Sequence, residues 1–173
     1  LVDVGSRDAP TVKARPDAAT AVEATELGDA RGEDEPRAQH FVNERGSVVV
    51  EPLGHGVVRV LLRGIADQAA FDFVRSAVDR EHARAPRGAK VLLYFDTTGM
   101  TAFERGFRRS MVRWHAEAKQ SMEQVVLVRS RIVALAVRSA DRLIGGGATA
   151  TADRARFERM LNEEVRRRAG MPR

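Results

Sequence analysis

The stretch Lys90-Val91-Leu92-Leu93-Tyr94-Phe95-Asp96-Thr97-Thr98-Gly99-Met100 decides how this chain folds. From Val91 to Phe95 it is continuously apolar, the pattern of a strand covered on both faces, as in a parallel sheet. Asp96-Thr97-Thr98-Gly99 then supplies turn-forming residues, so the strand is expected to end there and lead into a helix. A helix from about Ala102 to Lys119 meets that need, because Phe103, Phe107, Met111, Trp114 and Ala118 share one stripe at helical spacing.

Upstream, Asp67 can cap a helix whose Ala70, Phe71, Val74, Ala77, Val78 and His82 lie on one face, ended by Pro86-Arg87-Gly88. Before it, Ser47-Val48-Val49-Val50-Glu51 and the run from Gly56 to Arg63 are β-branched segments joined by Pro52-Leu53-Gly54-His55, a hairpin pattern. Downstream, Gln124-Val125-Val126-Leu127-Val128 predicts a second buried strand, and Ser130 can cap a helix from Arg131 to Leu143 that stops at Gly145-Gly146-Gly147. Ala148-Thr149-Ala150-Thr151 suits a short edge strand. Asp153 can cap a last helix with Phe157, Met160, Leu161 and Val165 inward and Arg154, Arg159, Arg166, Arg167 and Arg168 mostly outward. The order β-β-α-β-α-β-α-β-α predicts a single α/β domain, a mixed sheet of about four or five strands with a parallel centre and about four helices.

That domain is expected over residues 47–168. Residues 1–46 are rich in Ala, Asp, Glu, Pro, Thr and Gly and predict a disordered acidic tail or linker, with one short helix near Ala18–Leu27, and residues 169–173 predict a disordered C-terminus. The chain begins at Leu1 in place of methionine, as a fragment or trimmed chain would.

Composition narrows the chemistry. The chain has 173 residues, 43% of them apolar, enough to bury one core. No run approaches the roughly 20 apolar residues of a membrane span, and no basic-then-apolar leader opens the chain, so a cytoplasmic location is expected. Cysteine is absent, which excludes disulfides, thiolate metal sites and cysteine nucleophiles; His40, His55, His82 and His115 share no ligand spacing, so neither metal nor cofactor is expected. Residues 1–46 carry six Lys/Arg against ten Asp/Glu, a net −4, whereas residues 47–173 carry 23 against 14, a net +9. Nearly all the positive charge is arginine, since Lys13, Lys90 and Lys119 are the only lysines. GC-rich coding produces such a bias, and so does selection for an anionic partner.

The buried strand ending in Asp96-Thr97-Thr98-Gly99-Met100, within this element order, resembles the STAS domain family of sulfate transporters and anti-sigma-factor antagonists, over roughly Ser47 to Val165. In that family an Asp-Ser-Ser-Gly-Leu-like motif follows the central strand, and its second hydroxyl residue is phosphorylated by a partner kinase, switching the binding partner. The resemblance implies a phosphoacceptor at Thr98, with Thr97 beside it; alignment by the strand instead places the position near Thr101, Ala102 or Phe103. The short strand, Asp153 and the helix bearing Phe157 and Leu161 also resemble the family's closing segment.

Parallel sheets bind ligands beyond the carboxyl ends of their strands, which here hold Asp96-Thr97-Thr98-Gly99 and Arg129-Ser130-Arg131. Arginine beside a helix N-terminus suits an anion, because guanidinium and unpaired backbone N–H groups both donate to it. The competing reading is that Thr98 and Ser130 only cap backbone and the arginines are solvated. The glycine run lacks Gly-Lys-Ser/Thr and follows a helix, so it reads as a C-cap. Arg105, Arg109 and Arg113 recur every four residues with Arg108 beside them, a cationic stripe that is either a solvated face or a contact surface for an acidic partner or phosphate backbone. Asp96 and His115 are the acid/base candidates; His115, next to Trp114, reads as a surface residue. No nucleophile elbow, dinucleotide fingerprint or paired metal ligands occur, so no catalysis is expected. The sequence favours a regulatory protein-interaction module, for which the family resemblance implies a kinase-like or regulatory protein partner; nucleic-acid binding and a small-ligand sensor with its crevice above Asp96 and Ser130 are the alternatives. The oligomeric state is not legible.

Overall fold

The β-branched runs and capped helices form ten elements in the computed structural model, which describes residues 37–143 and 147–171. In chain order these are β1 (Gln39–Asn43), β2 (Gly46–Pro52), β3 (Val57–Ala66), α1 (Gln68–Arg84), β4 (Val91–Phe103), α2 (Arg105–Ala118), β5 (Met122–Leu127), α3 (Arg131–Leu143), β6 (Ala148–Thr151) and α4 (Arg154–Arg168). The helix expected near Ala18–Leu27, the rest of the tail to residue 36, Gly145, Gly146 and residues 172–173 lie outside the described residues. Three caps act as read: Asp67 accepts from the Ala70 amide, Ser130 from Val133 and Asp153 from Arg156.

The six strands lie in chain order, β1-β2-β3-β4-β5-β6. The first three pair antiparallel, and β3 through β6 pair parallel, giving the expected mixed sheet with a parallel centre. The sheet has one strand more than the sequence predicts. That strand, β1, lies inside the segment read as tail, so the folded part starts earlier than residue 47. Five residues with two polar ends carry too little alternation to stand out, yet Phe41 stacks on Phe73 of α1 at 5.5 Å, and Asn43 closes the turn by accepting from the Arg45 and Gly46 amides.

Alternate residues of each strand feed opposite faces. On one face Val58, Val60, Leu93 and Phe95 meet α1 and α2, with Phe71 edge-on to both Phe107 and Trp114. Val126 lies in that core and also in a smaller cluster with Val128, Ala150 and α3's Ala134, so α3 covers the same face near β6. On the other face Val57, Tyr94 and Leu127 receive Phe157 and Leu161 of α4. Two expected core positions differ. His82 is exposed and Glu81 is buried instead, paired with Arg84 at 2.7 Å. Phe103 ends β4 and is half exposed, because α2 begins only at Arg105. His115, expected at the surface, is buried, with its ring against Gly147.

Candidate functional site

Asp96-Thr97-Thr98-Gly99 does not form the loop that the sequence predicts: β4 continues through it to Phe103. The parallel register with β3 slips there, Leu61 pairing with Asp96 and Arg63 with Gly99, so Thr97 and Thr98 together oppose Leu62 in a β-bulge. A second slip places Thr101 between Met100, paired with Gly64, and Ala102, paired with Ile65. Bulges re-aim side chains, and this first one sends the two hydroxyls to different partners. Thr97 Oγ1 donates to the Leu127 carbonyl at 2.8 Å, which ties the bulge to β5. Thr98 Oγ1 donates to Asp96 Oδ1 at 2.6 Å, and the Thr98 amide donates to the same oxygen at 3.0 Å. Gly99 is required by its neighbour, since a Cβ there would stand 2.8 Å from Arg63 Cγ and 2.9 Å from the Leu62 carbonyl oxygen.

The sequence reading missed Arg154, which completes the cluster. As the first residue of α4 it turns back over the strand ends, its Nη2 lying 3.0 Å from Asp96 Oδ2 and donating to Thr98 Oγ1 at 2.7 Å. Its position at the start of an arginine-rich helix hid it, because periodicity places it outside with Arg159 and Arg166. Burial pushes the Asp96 carboxyl up, but the hydrogen bonds from Thr98 and Arg154 outweigh burial and hold it below the ordinary carboxylate value. Asp96 is therefore an ionised, fully engaged carboxylate. The pairs continue across the sheet face: Arg154 also approaches Glu158 at 3.8 Å, and Glu158 accepts from Arg59 of β3 at 2.9 Å.

Of the two arginines expected beside the threonines, Arg129 arrives, its Nε donating to the Thr98 carbonyl at 2.6 Å. Arg131 does not; it lines an open crevice of about 600 Å³ between the N-terminal ends of α3 and α4, with Arg154, Arg156 and a floor of Ala134, Ala150 and Ala152. Ser130 is occupied as the α3 cap. Thr101 is exposed near the end of β4. Arg105, Arg108, Arg109 and Arg113 are all exposed along α2, and among the described residues none of their side chains bonds to this cluster. Among the described residues no three His, Asp or Glu side chains are placed to share a metal ion, and no helix is long and apolar enough to cross a membrane.

No protein-family model and no curated protein matches this sequence. Solved structures do match its fold. A protein of the DUF3478 family from Shewanella loihica, with a SpoIIAA-like fold, superposes with a TM-score of 0.54 at 9% identity, covering 75% of this chain and 99% of that one. The anti-sigma factor antagonist SpoIIAA in its unphosphorylated form gives a TM-score of 0.49 at 15% identity, covering 69% of this chain and 97% of its own. The sequential mixed sheet with α1, α2 and α3 on one face and α4 on the other is the SpoIIAA-like fold, so the STAS-like architecture implied by the sequence is the architecture of this chain.

Proposed function

We propose that this chain is a non-catalytic regulatory module that binds another protein, and that Thr98 is where its state is set. The observation that carries the reading is the Thr98 hydroxyl, held in a bulge between the Asp96 carboxylate and the Arg154 guanidinium. A phosphoryl group there adds close to two negative charges beside Asp96 and within reach of Arg154 and Arg129. Repulsion opposes the Asp96 contact, while attraction draws both arginines to the phosphate, so one modification rewrites the surface at the strand ends. The bound hydroxyl serves this role better than Thr97, whose hydroxyl faces a backbone carbonyl of β5. Thr101, which is exposed, is the remaining acceptor to compare.

The test is intact-mass analysis of the chain recovered from its native host, together with proximity labelling of its neighbours. We expect a mass gain of one phosphoryl group on wild type and on Thr97→Val, none on Thr98→Val, and a labelled protein whose yield differs between Thr98→Val and Thr98→Glu. A Thr98→Val chain that still gains the group, or a wild type that labels no protein above background, refutes the reading.

A second reading has its own observation. Arg105, Arg108, Arg109 and Arg113 form an exposed row on α2, and no hydrogen bond or ion pair engages their side chains among the described residues. Such a row fits a phosphate backbone. Nucleic-acid binding would then weaken steeply with added salt and lose slope in Arg109→Gln; binding flat across salt removes this reading.

A further inference from the structure

Helix α3 is built inside out. In its first turns, Arg131-Ile132-Val133-Ala134-Leu135-Ala136-Val137, the sheet receives Ala134 and Val137 while larger apolar residues stay outside. Ala134 is buried and Val137 packs beside it against Val128 and Ala150, while Ile132 is 81% exposed, Leu135 60% and Val133 47%. The receiving surface is Ala150 of β6 with Val126 and Val128 beside it. Ile132 and Leu135 sit three residues apart, so they stand together on the outward side. Of the seven large apolar side chains that are strongly exposed among the described residues, three belong to this one helix, and two of them, Ile132 and Leu135, are neighbours on its outer side. Neighbouring exposed apolar groups mark contact surfaces, whereas scattered ones need no explanation.

The surrounding charge selects the occupant. Arg131 adjoins Ile132, and its side chain makes no hydrogen bond or ion pair among the described residues; Arg129 precedes it, and Arg154 and Arg156 line the crevice at the same end of the helix, against the one carboxylate there, the α4 cap Asp153. A second copy meeting this face about a two-fold axis would set Arg131 and Arg129 against their own kind, which disfavours self-association. We infer that the outer face of α3 is the docking surface for a protein segment that presents apolar side chains flanked by acidic ones. The inference rests on the protein-binding reading and adds the surface and the chemistry of the partner.

Two dye-labelled synthetic amphipathic helices with identical leucine faces, one with a glutamate polar face and one with a lysine polar face, test it by fluorescence anisotropy against the full chain. We expect the acidic helix to bind about tenfold more tightly than the basic one. Ile132→Asp with Leu135→Asp, and separately Arg131→Glu, are each expected to weaken the acidic helix by about tenfold. Carboxylates in the first helical turns suit the helix dipole, so the doubly substituted chain folds, which an unchanged circular dichroism melt verifies. Equal binding of both helices, binding of neither, or an unaffected double variant overturns the proposal. So does a wild-type dimer in sedimentation that the double variant dissolves, since the occupant is then a second copy. A double variant that labels the same protein in the host as wild type sinks this surface while leaving the protein-binding reading in place.

Discussion

Asp96 carries most of the order at the strand ends, with three hydrogen-bonded contacts on a side chain only 8% exposed. Asp96→Ala is expected to cost about 1–3 kcal/mol in denaturant melts, because the Thr98 amide and hydroxyl lose their acceptor. Asp96→Asn keeps an acceptor for Thr98 and loses only the ion pair to a half-exposed arginine, so its cost at neutral pH is smaller. The two differ most in acid. A carboxyl held below its ordinary value stabilises the fold above that value and loses the contribution as pH falls through the folded-state value. Wild type should therefore fall toward Asp96→Asn below about pH 4, and parallel melts of the pair would expose an error if the gap persisted there. Tyr94 sets the opposite limb. Burial, assisted by Glu164, pushes its phenol from 10.0 up to about 12, so stability present below 10 is lost as pH rises toward 12, and Tyr94→Phe should flatten that loss. At this scale the caps Asp67, Ser130 and Asp153 were legible, because each needs only its own short oxygen and the next turn's amides. Arg154 was not, because its partner is 58 residues away in sequence and only the folded sheet brings them together.

Among the elements, α4 is held by one side chain above others. Phe157 is fully buried and sits edge-on to Tyr94 at 5.5 Å, so Phe157→Ala is expected to cost about 3–5 kcal/mol, while the exposed Arg159→Ala on the same helix costs little. Chemical denaturation of the two variants side by side checks the contrast. Periodicity located this helix, and also α1, β5 and the β2–β3 hairpin, since each presents a long repeat to one core. The length of β4 escaped it. Thr-Thr-Gly-Met is a turn by composition, and the bulge that keeps those residues in the sheet shifts the two-residue alternation on which strand recognition depends. The same limit hid β1, whose five residues owe their place to a backbone ladder with β2 and to Phe41 on Phe73. The inverted packing of α3 was equally invisible: an apolar helix announces that one face is covered without saying which.

For the whole molecule, the positive charge assigned to the domain gathers, among the described residues, without ion-pair partners along α2 and at the N-terminal end of α3, while Glu158 and Glu164 of α4 are occupied. Glu158 holds Arg59 and Arg154, and Glu164 holds Arg167 and Arg168, with the Glu164 carboxyl kept low chiefly by its hydrogen bond from Arg167. Strand order that copies chain order has a further effect, on assembly. Each of β2 to β6 docks on the strand made just before it, so the sheet can grow in one direction as the polypeptide is synthesised, with helices α1 to α3 laid on the same side in passing. On the other side of the sheet α4 reaches back, through Glu158 to Arg59 and through Arg168 to the carbonyls of His55 and Lys90. On the ribosome the second side of the sheet, with Val57, Tyr94 and Leu127, therefore stays bare until the last fifteen-residue helix emerges, and a nascent chain stalled before Asp153 is one that chaperones should still hold.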